Sequence, residues 1–220
     1  MSDIIILNID ALEGFKLLSD ECIDLIVTDP PYSSQLVSWD KKTVEWQLSW
    51  LREAKRVLKP GGYMYVFFAP MNMYQVEGWF RQEMKLKNIL VWYHPNLHAS
   101  YMSYGSDRWK SSWDAIFYAQ KPGSKRLSKK TSEAGYLLGG GLDVQVYPQP
   151  RPLLHKAQKP LELVEKLIAA SSNEGDLVLD PFVGSGTTAL ACKHLRRRFI
   201  GFELDAKYIQ IAYRRLNIDA

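Results

Sequence analysis

The chain has few cysteines, no long apolar run and little net charge. Only Cys22 and Cys192 occur in 220 residues. Two thiols imply no disulfide framework, and a reducing compartment is the default. Neither stands in a CxxC or Cys/His pattern, and the four histidines show no ligand spacing, so no metal site is expected. No apolar run approaches the roughly 18 residues needed to cross a bilayer, which predicts no membrane partner. The opening "MSDIIILNID" lacks a basic n-region and does not read as a signal peptide, so a cytoplasmic location is expected. No internal repeat is visible.

What is present fits one globular domain over residues 1–220, with 46% hydrophobic and 24% charged residues. The net charge of +4 is unevenly spread: residues 94–160 hold ten Lys and Arg against four Asp and Glu, and the rest hold eighteen against twenty. A basic middle on a near-neutral body fits contact with a polyanion, and equally a solvated loop.

The first 90 residues alternate two periods. "IIILNI" (4–9), "IDLIVTD" (23–29) and "YMYVFFA" (63–69) read as strands, the second so uniformly apolar that both its faces should be buried. "VEWQLSWLREAKRVL" (44–58) reads as a helix with Trp46, Trp50, Ala54 and Val57 on one stripe, expected to be core, and "KPGG" is its stop. A helix near 73–84 and a strand at "ILVWY" follow. Between 94 and 160 only "DAIFYAQ" looks like a strand. Regularity resumes at "KPLELVEKLIAASS", then "LVLDPF", "GTTALACKHLR", "FIGFEL" and "DAKYIQIAYRRL" alternate strand and helix. Such alternation predicts an α/β fold with a parallel sheet between helices.

Two motifs carry chemistry. "DPFVGSGTTALA" sets a glycine turn between a buried strand and a helix, and the next strand ends in Glu203, 23 residues after Asp180. In an open parallel sheet ligands bind at the carboxyl ends of strands, where such an acid accepts from the hydroxyls of a ribose. The full dinucleotide fingerprint and the lysine of a phosphate-binding loop are both missing, so the nucleoside cofactor need not carry phosphate. The other motif, "DPPY" (29–32), puts an acid, two rigid rings and a phenol at the end of an apolar strand.

"DPPY" together with "DPFVGSG" resembles the S-adenosylmethionine-dependent amino-methyltransferases of DNA. "RVLKPGGYMYVF", "QKPLELVEKLI" and "RRFIGFELDAKYIQIAYRRL" extend the resemblance along most of the chain. With the catalytic motif first and the cofactor loop last, the order is circularly permuted and resembles the beta class. The resemblance implies a class I Rossmann-like fold, a seven-stranded, mostly parallel sheet between helices, with 94–155 inserted as a target-recognition region. It implies S-adenosylmethionine as cofactor and double-stranded DNA as partner, with a homodimer and a cognate restriction endonuclease as further expectations. Phe182, Gly184, Ser185 and Gly186 would form the loop beneath the methionine part. Asp180, Thr187 and Thr188 would lie near its amino and carboxylate groups, Glu203 would hold the ribose and Asp10 would stand near the adenine. Lys159 resembles the lysine that opens the helix before this loop and is carried over as a cofactor contact.

Methyl transfer to an exocyclic amine is hindered because the lone pair is delocalised into the ring. A carboxylate and a carbonyl accepting its two N–H bonds raise its nucleophilicity. The resemblance assigns these roles to Asp29 and the Pro30 carbonyl, with Pro31 as a second brace and Tyr32 stacking on a base extruded from the duplex. Asp29 favours adenine N6, since the cytosine-N4 relatives more often carry Ser there; cytosine N4 is the alternative. C5 transfer needs a cysteine after a proline, and neither cysteine follows one. A reading of another class is a DNA-binding module with the same fold and no transfer. In the middle region Arg108, Lys110, Arg126, Lys129 and Lys130 are candidate phosphate contacts. "RRR" (196–198) is expected to be a solvated helix end, and His94 to be structural or solvated.

Overall fold

The computed structural model describes residues 3–32, 42–96, 111–124, 142–151 and 158–218. The strands are β1 (Ile4–Asn8), β2 (Ile23–Thr28), β3 (Leu58–Phe68), β4 (Lys85–Tyr93), β5 (Trp113–Gln120), β6 (Val144–Val146), β7 (Leu177–Asp180) and β8 (Arg198–Glu203). The helices are α1 (Ala11–Lys16), α2 (Val44–Val57), α3 (Tyr74–Glu83), α4 (Leu161–Ser171), α5 (Thr187–His194) and α6 (Ala206–Leu216).

All eight strands join one sheet in the order β1-β8-β7-β2-β3-β5-β4-β6. Every pairing from β1 through β3 is parallel; β5 runs antiparallel to both neighbours, β3 and β4. The sheet is therefore mostly parallel, as expected, but has one strand more than the expected seven among the described residues. The extra strand, β6, pairs with β4 over three residues, too short for its "VQV" to show a period. "KPGG" also behaves differently from its reading as a plain helix stop. It lies inside β3, where the register against β2 shifts, and Gly61 absorbs the irregularity at φ 78°.

Strand alternation divides the core. Leu25, Val27, Tyr65 and Phe67 face α4, α5 and α6 through Leu163, Val164, Ala189 and Ala212. Ile26, Met64, Val66 and Phe68 face the other way, onto Phe15, Trp50, Leu51, Val76 and Phe80 of α1, α2 and α3. All six residues of β2 are buried, Asp24 and Thr28 included, because helices cover both faces of the sheet. Arg197 departs from the expectation for "RRR". It is buried, and its guanidinium donates to the Ser172 carbonyl at 2.7 Å and the Ser172 hydroxyl at 3.0 Å. It fastens the end of α4 to the start of β8, while Arg196 and Arg198 are exposed.

Candidate active site

Because β1, β8, β7 and β2 are adjacent and parallel, their carboxyl ends share one edge of the sheet. Four acids follow from that alignment: Asp10 just beyond β1, Glu203 at the end of β8, Asp180 at the end of β7 and Asp29 just beyond β2. The Thr28 hydroxyl donates to Asp180 Oδ1 at 2.7 Å and ties the two sequence motifs together across 152 residues.

The DPPY turn is braced from several elements. Gln47 of α2 donates from Nε2 to the Pro31 carbonyl at 2.5 Å, and its own Oε1 accepts from Trp50 Nε1 at 2.8 Å. Asn72, in the turn after β3, donates to the Tyr32 carbonyl at 2.8 Å. The Tyr32 ring packs on Phe68 with centroids 5.5 Å apart, and its hydroxyl donates to Asp29 Oδ1. Asp29 Oδ2 accepts from Lys159 Nζ at 2.5 Å.

The glycine loop is held as firmly. Gly184 (φ 52°) and Gly186 (φ 79°) both lie in the left-handed region. Gly186 does not face the cavity: a Cβ there would stand 2.6 Å from the Ala212 Cβ, so it is the seam between α5 and α6. The glycine that fronts the ligand space is Gly184, whose N–H donates to Glu203 Oε2 at 2.7 Å. The other Glu203 oxygen accepts from the Asp205 N–H at 2.9 Å, and burial raises this carboxyl above the usual range. Asp180 accepts from Thr28, from the Phe182 N–H at 3.0 Å and from Thr188 at 2.7 Å; burial pushes its pKa up to about 6. Beneath the loop, Arg215 Nη1 donates to the Ser185 carbonyl at 2.7 Å, the Ser185 hydroxyl at 3.1 Å and the Thr187 hydroxyl at 3.0 Å. Asp10 caps α1, accepting from the Leu12 N–H at 2.8 Å.

These elements enclose a cavity of about 830 Å³, within the roughly 300–1,000 Å³ of small-molecule sites. Its wall includes Asp10, Asp29, Pro30, Pro31, Tyr32, Lys159, Asp180, Phe182, Gly184, Ser185, Thr187, Thr188 and Glu203. So every catalytic and cofactor residue expected from the sequence, Gly186 excepted, borders one space. The donor set suits a nucleoside carrying a positive charge: carboxylates at several strand ends, an aromatic face at Phe182, and a glycine where the backbone closes in. The expected DNA contacts Arg108, Lys110, Arg126, Lys129 and Lys130 lie outside the described residues.

The structure places near the site residues that the sequence did not assign to it. Trp46, expected in the core with Trp50, is only half-buried; it lines the cavity, packs on Phe182 with centroids 5.6 Å apart, and carries Lys42 Nζ over its ring at 4.7 Å. Its helical stripe predicted burial but not against what. Gln47, Asn72 and Arg215 act on the motifs from other elements, and no local pattern marks them. His94 is buried against Trp92, with neither ring nitrogen hydrogen-bonded among the described residues. Burial, with Lys159 nearby, lowers its pKa to about 4.

Comparison with known proteins agrees with this geometry. The N6/N4 family model described as "DNA methylase" matches residues 23–214. The type II methyltransferase M2.DpnII of Streptococcus pneumoniae is 32% identical, the alignment covering 98% of this chain and 90% of that protein. The DNA adenine methyltransferase YhdJ of Escherichia coli K12 is also 32% identical, over 97% of this chain and 82% of its own. The crystal structure of TTHA0409 from Thermus thermophilus, complexed with S-adenosyl-L-methionine, superposes with a TM-score of 0.75 at 25% identity, covering 97% of this chain and 92% of that one. With a family match spanning both motifs and the cavity between them, the chain belongs to the N6/N4 DNA methylase family.

Proposed function

We propose that the protein is a site-specific DNA adenine methyltransferase that moves a methyl group from S-adenosylmethionine to N6 of an adenine extruded from double-stranded DNA. The observation that carries this reading is the carboxylate of Asp29 at the cavity wall, backed by the Pro30 and Pro31 rings. When bound, the cofactor supplies an electrophilic methyl group on a sulfonium. The chain's own groups do the rest. Glu203 accepts from ribose hydroxyls, the Phe182 and Trp46 rings bound the apolar side, and Ser185, Thr187 and Thr188 front the amino-acid end. Asp29 and the Pro30 carbonyl accept the two amine hydrogens, which bends the nitrogen toward tetrahedral geometry and frees its lone pair. The N–C bond would form as the S–C bond breaks, the electron pair staying on the sulfur of the departing thioether, and the methylated nitrogen would pass its extra proton to water. Tyr32 offers a ring for the base to stack on, worth roughly 1–3 kcal/mol.

An adenine inside a duplex cannot reach this cavity, so the base leaves the stack. The basic middle of the chain supplies backbone contacts, with Arg108, Lys110, Arg126, Lys129 and Lys130 as the phosphate-binding group. A homodimer and a cognate restriction endonuclease belong to the same reading, and sizing of the purified protein checks the first.

The deciding experiment incubates the protein with polymerase-amplified, methyl-free DNA and labelled S-adenosylmethionine, then identifies the product nucleoside by mass spectrometry. N6-methyladenine is expected. N4-methylcytosine alone would replace the adenine assignment with the cytosine one, which the family description also covers. DNA binding without any product would leave an inactive binding module.

A further inference from the structure

Lys159 stands immediately before α4, and the resemblance to relatives assigns it to the cofactor. Its surroundings point elsewhere. The side chain is only 8% exposed, and its ammonium lies 2.5 Å from Asp29 Oδ2, across 130 residues of sequence. Three ring faces surround the charge: Tyr32 at 5.5 Å, Phe67 of β3 at 5.3 Å and Trp92 of β4 at 5.7 Å. Such faces hold a desolvated cation in place without competing for its hydrogen bonds. Pro160 follows directly and is the N-cap of α4, which restricts the backbone that carries the lysine. A second carboxylate, Asp114 of β5, shares the field. Burial pushes its pKa up to about 6, the Lys159 charge works to lower it, and the Asp29 charge works to raise it.

We infer that Lys159 is a positioning residue for the methyl-acceptor pocket: it anchors one oxygen of Asp29 and so dedicates the other to the incoming amine. This rests on the proposed function. The carboxylate has two unequal oxygens. Oδ2 is committed to a buried ammonium, whereas Oδ1 accepts from the Tyr32 hydroxyl. A phenol at the face offered to the base is a donor that the amine can replace; a lysine among three rings is not. The Tyr32 hydroxyl thus marks where the amine hydrogen binds. An acceptor held in one orientation before the substrate arrives costs no reorganisation in the transition state. Arg would keep the charge but its planar fork cannot sit among the rings in the same way.

The test compares Lys159→Met and Lys159→Arg with the wild type in single-turnover transfer to methyl-free DNA. S-adenosylmethionine affinity is measured by calorimetry in the same preparations. The expected result is a fall in the K159M transfer rate of about tenfold or more, with cofactor affinity within about threefold and partial rescue in K159R. A loss of cofactor affinity in step with rate would make Lys159 a cofactor contact and overturn the inference. So would equal rates in K159M and K159R alongside equal losses of thermal stability, which mark a structural role. The pair is also read without any reaction, in a thermal-unfolding cycle of K159M, Asp29→Asn and the double variant. Coupled losses are expected; additive losses overturn the pairing. A wild type that methylates no DNA would sink the proposed function and not this cycle, so the two failures are told apart.

Discussion

At the scale of single residues, the strand-end acids are all engaged, and the engagement of Asp29 predicts how its loss is felt. Asp29→Ala removes the amine acceptor and also leaves the Lys159 ammonium buried without its closest carboxylate. Transfer is therefore expected to vanish while calorimetric cofactor binding survives. Stability should fall by about 3 kcal/mol, the order seen when one partner of a buried pair is lost; Asp29→Asn, which keeps the shape and an acceptor oxygen, should fall less. Loss of cofactor binding together with folding would make Asp29 purely structural.

His94 supplies a pH prediction at the same scale. Its pKa drops from 6.5 to about 4 on folding, so the unfolded chain binds the extra proton first. The stability it contributes is complete above pH 6.5 and is lost as pH falls toward 4. Asp114, 3.7 Å from the imidazole, has the opposite sign: its contribution is complete below pH 3.8 and is lost as pH rises through about 6. Lys159 is the charge acting on His94, and both Lys159 and Asp29 act on Asp114. Comparing variants therefore isolates the histidine better than a raw curve does. His94→Phe, which keeps a ring against Trp92, should gain on the wild type by roughly 2 kcal/mol between about pH 7.5 and 4.5. Parallel unfolding curves across that range would contradict it.

At the scale of elements, α5 and α6 meet closely enough to forbid a side chain. Gly186, the N-cap of α5, combines a left-handed backbone with a Cβ position 2.6 Å from the Cβ of Ala212 in α6. Gly186→Ala should cost about 1–3 kcal/mol in denaturant unfolding, through strain and overpacking together. Ala212→Gly should recover part of that by opening the facing position; no recovery would mean that backbone strain dominates. The consequence for the site is indirect, because Arg215, three residues beyond Ala212, holds Ser185 and Thr187. Arg215→Met should loosen the loop and weaken S-adenosylmethionine binding while leaving DNA binding unchanged, measured separately for each ligand.

At the scale of the whole molecule, a parallel sheet with four carboxyl-terminal acids in a row makes an electronegative edge. Residues 94–160 carry the compensating excess of basic residues. If those charges meet phosphates, DNA affinity should fall steeply with salt. Reversing Arg126, Lys129 and Lys130 together should reduce the slope of log affinity against log salt by about 3. An affinity indifferent to ionic strength would refute the role.

The sequence by itself determined the alternation of elements and the two motifs. β2, β3, β7 and β8 were legible as apolar runs because strands covered on both faces need no polar alternation. DPPY and the glycine loop were legible because their chemistry is packed into a few consecutive residues. β6 escaped because three residues cannot display a period, and Trp46 because an apolar stripe marks burial without naming the neighbour. The tertiary structure alone decided the pairing of β2 with β7 and, through it, the meeting of Thr28 with Asp180. It also decided that Lys159, at the cavity wall, closes on Asp29. Such contacts join residues more than a hundred positions apart, and only the order of strands in the sheet makes them neighbours.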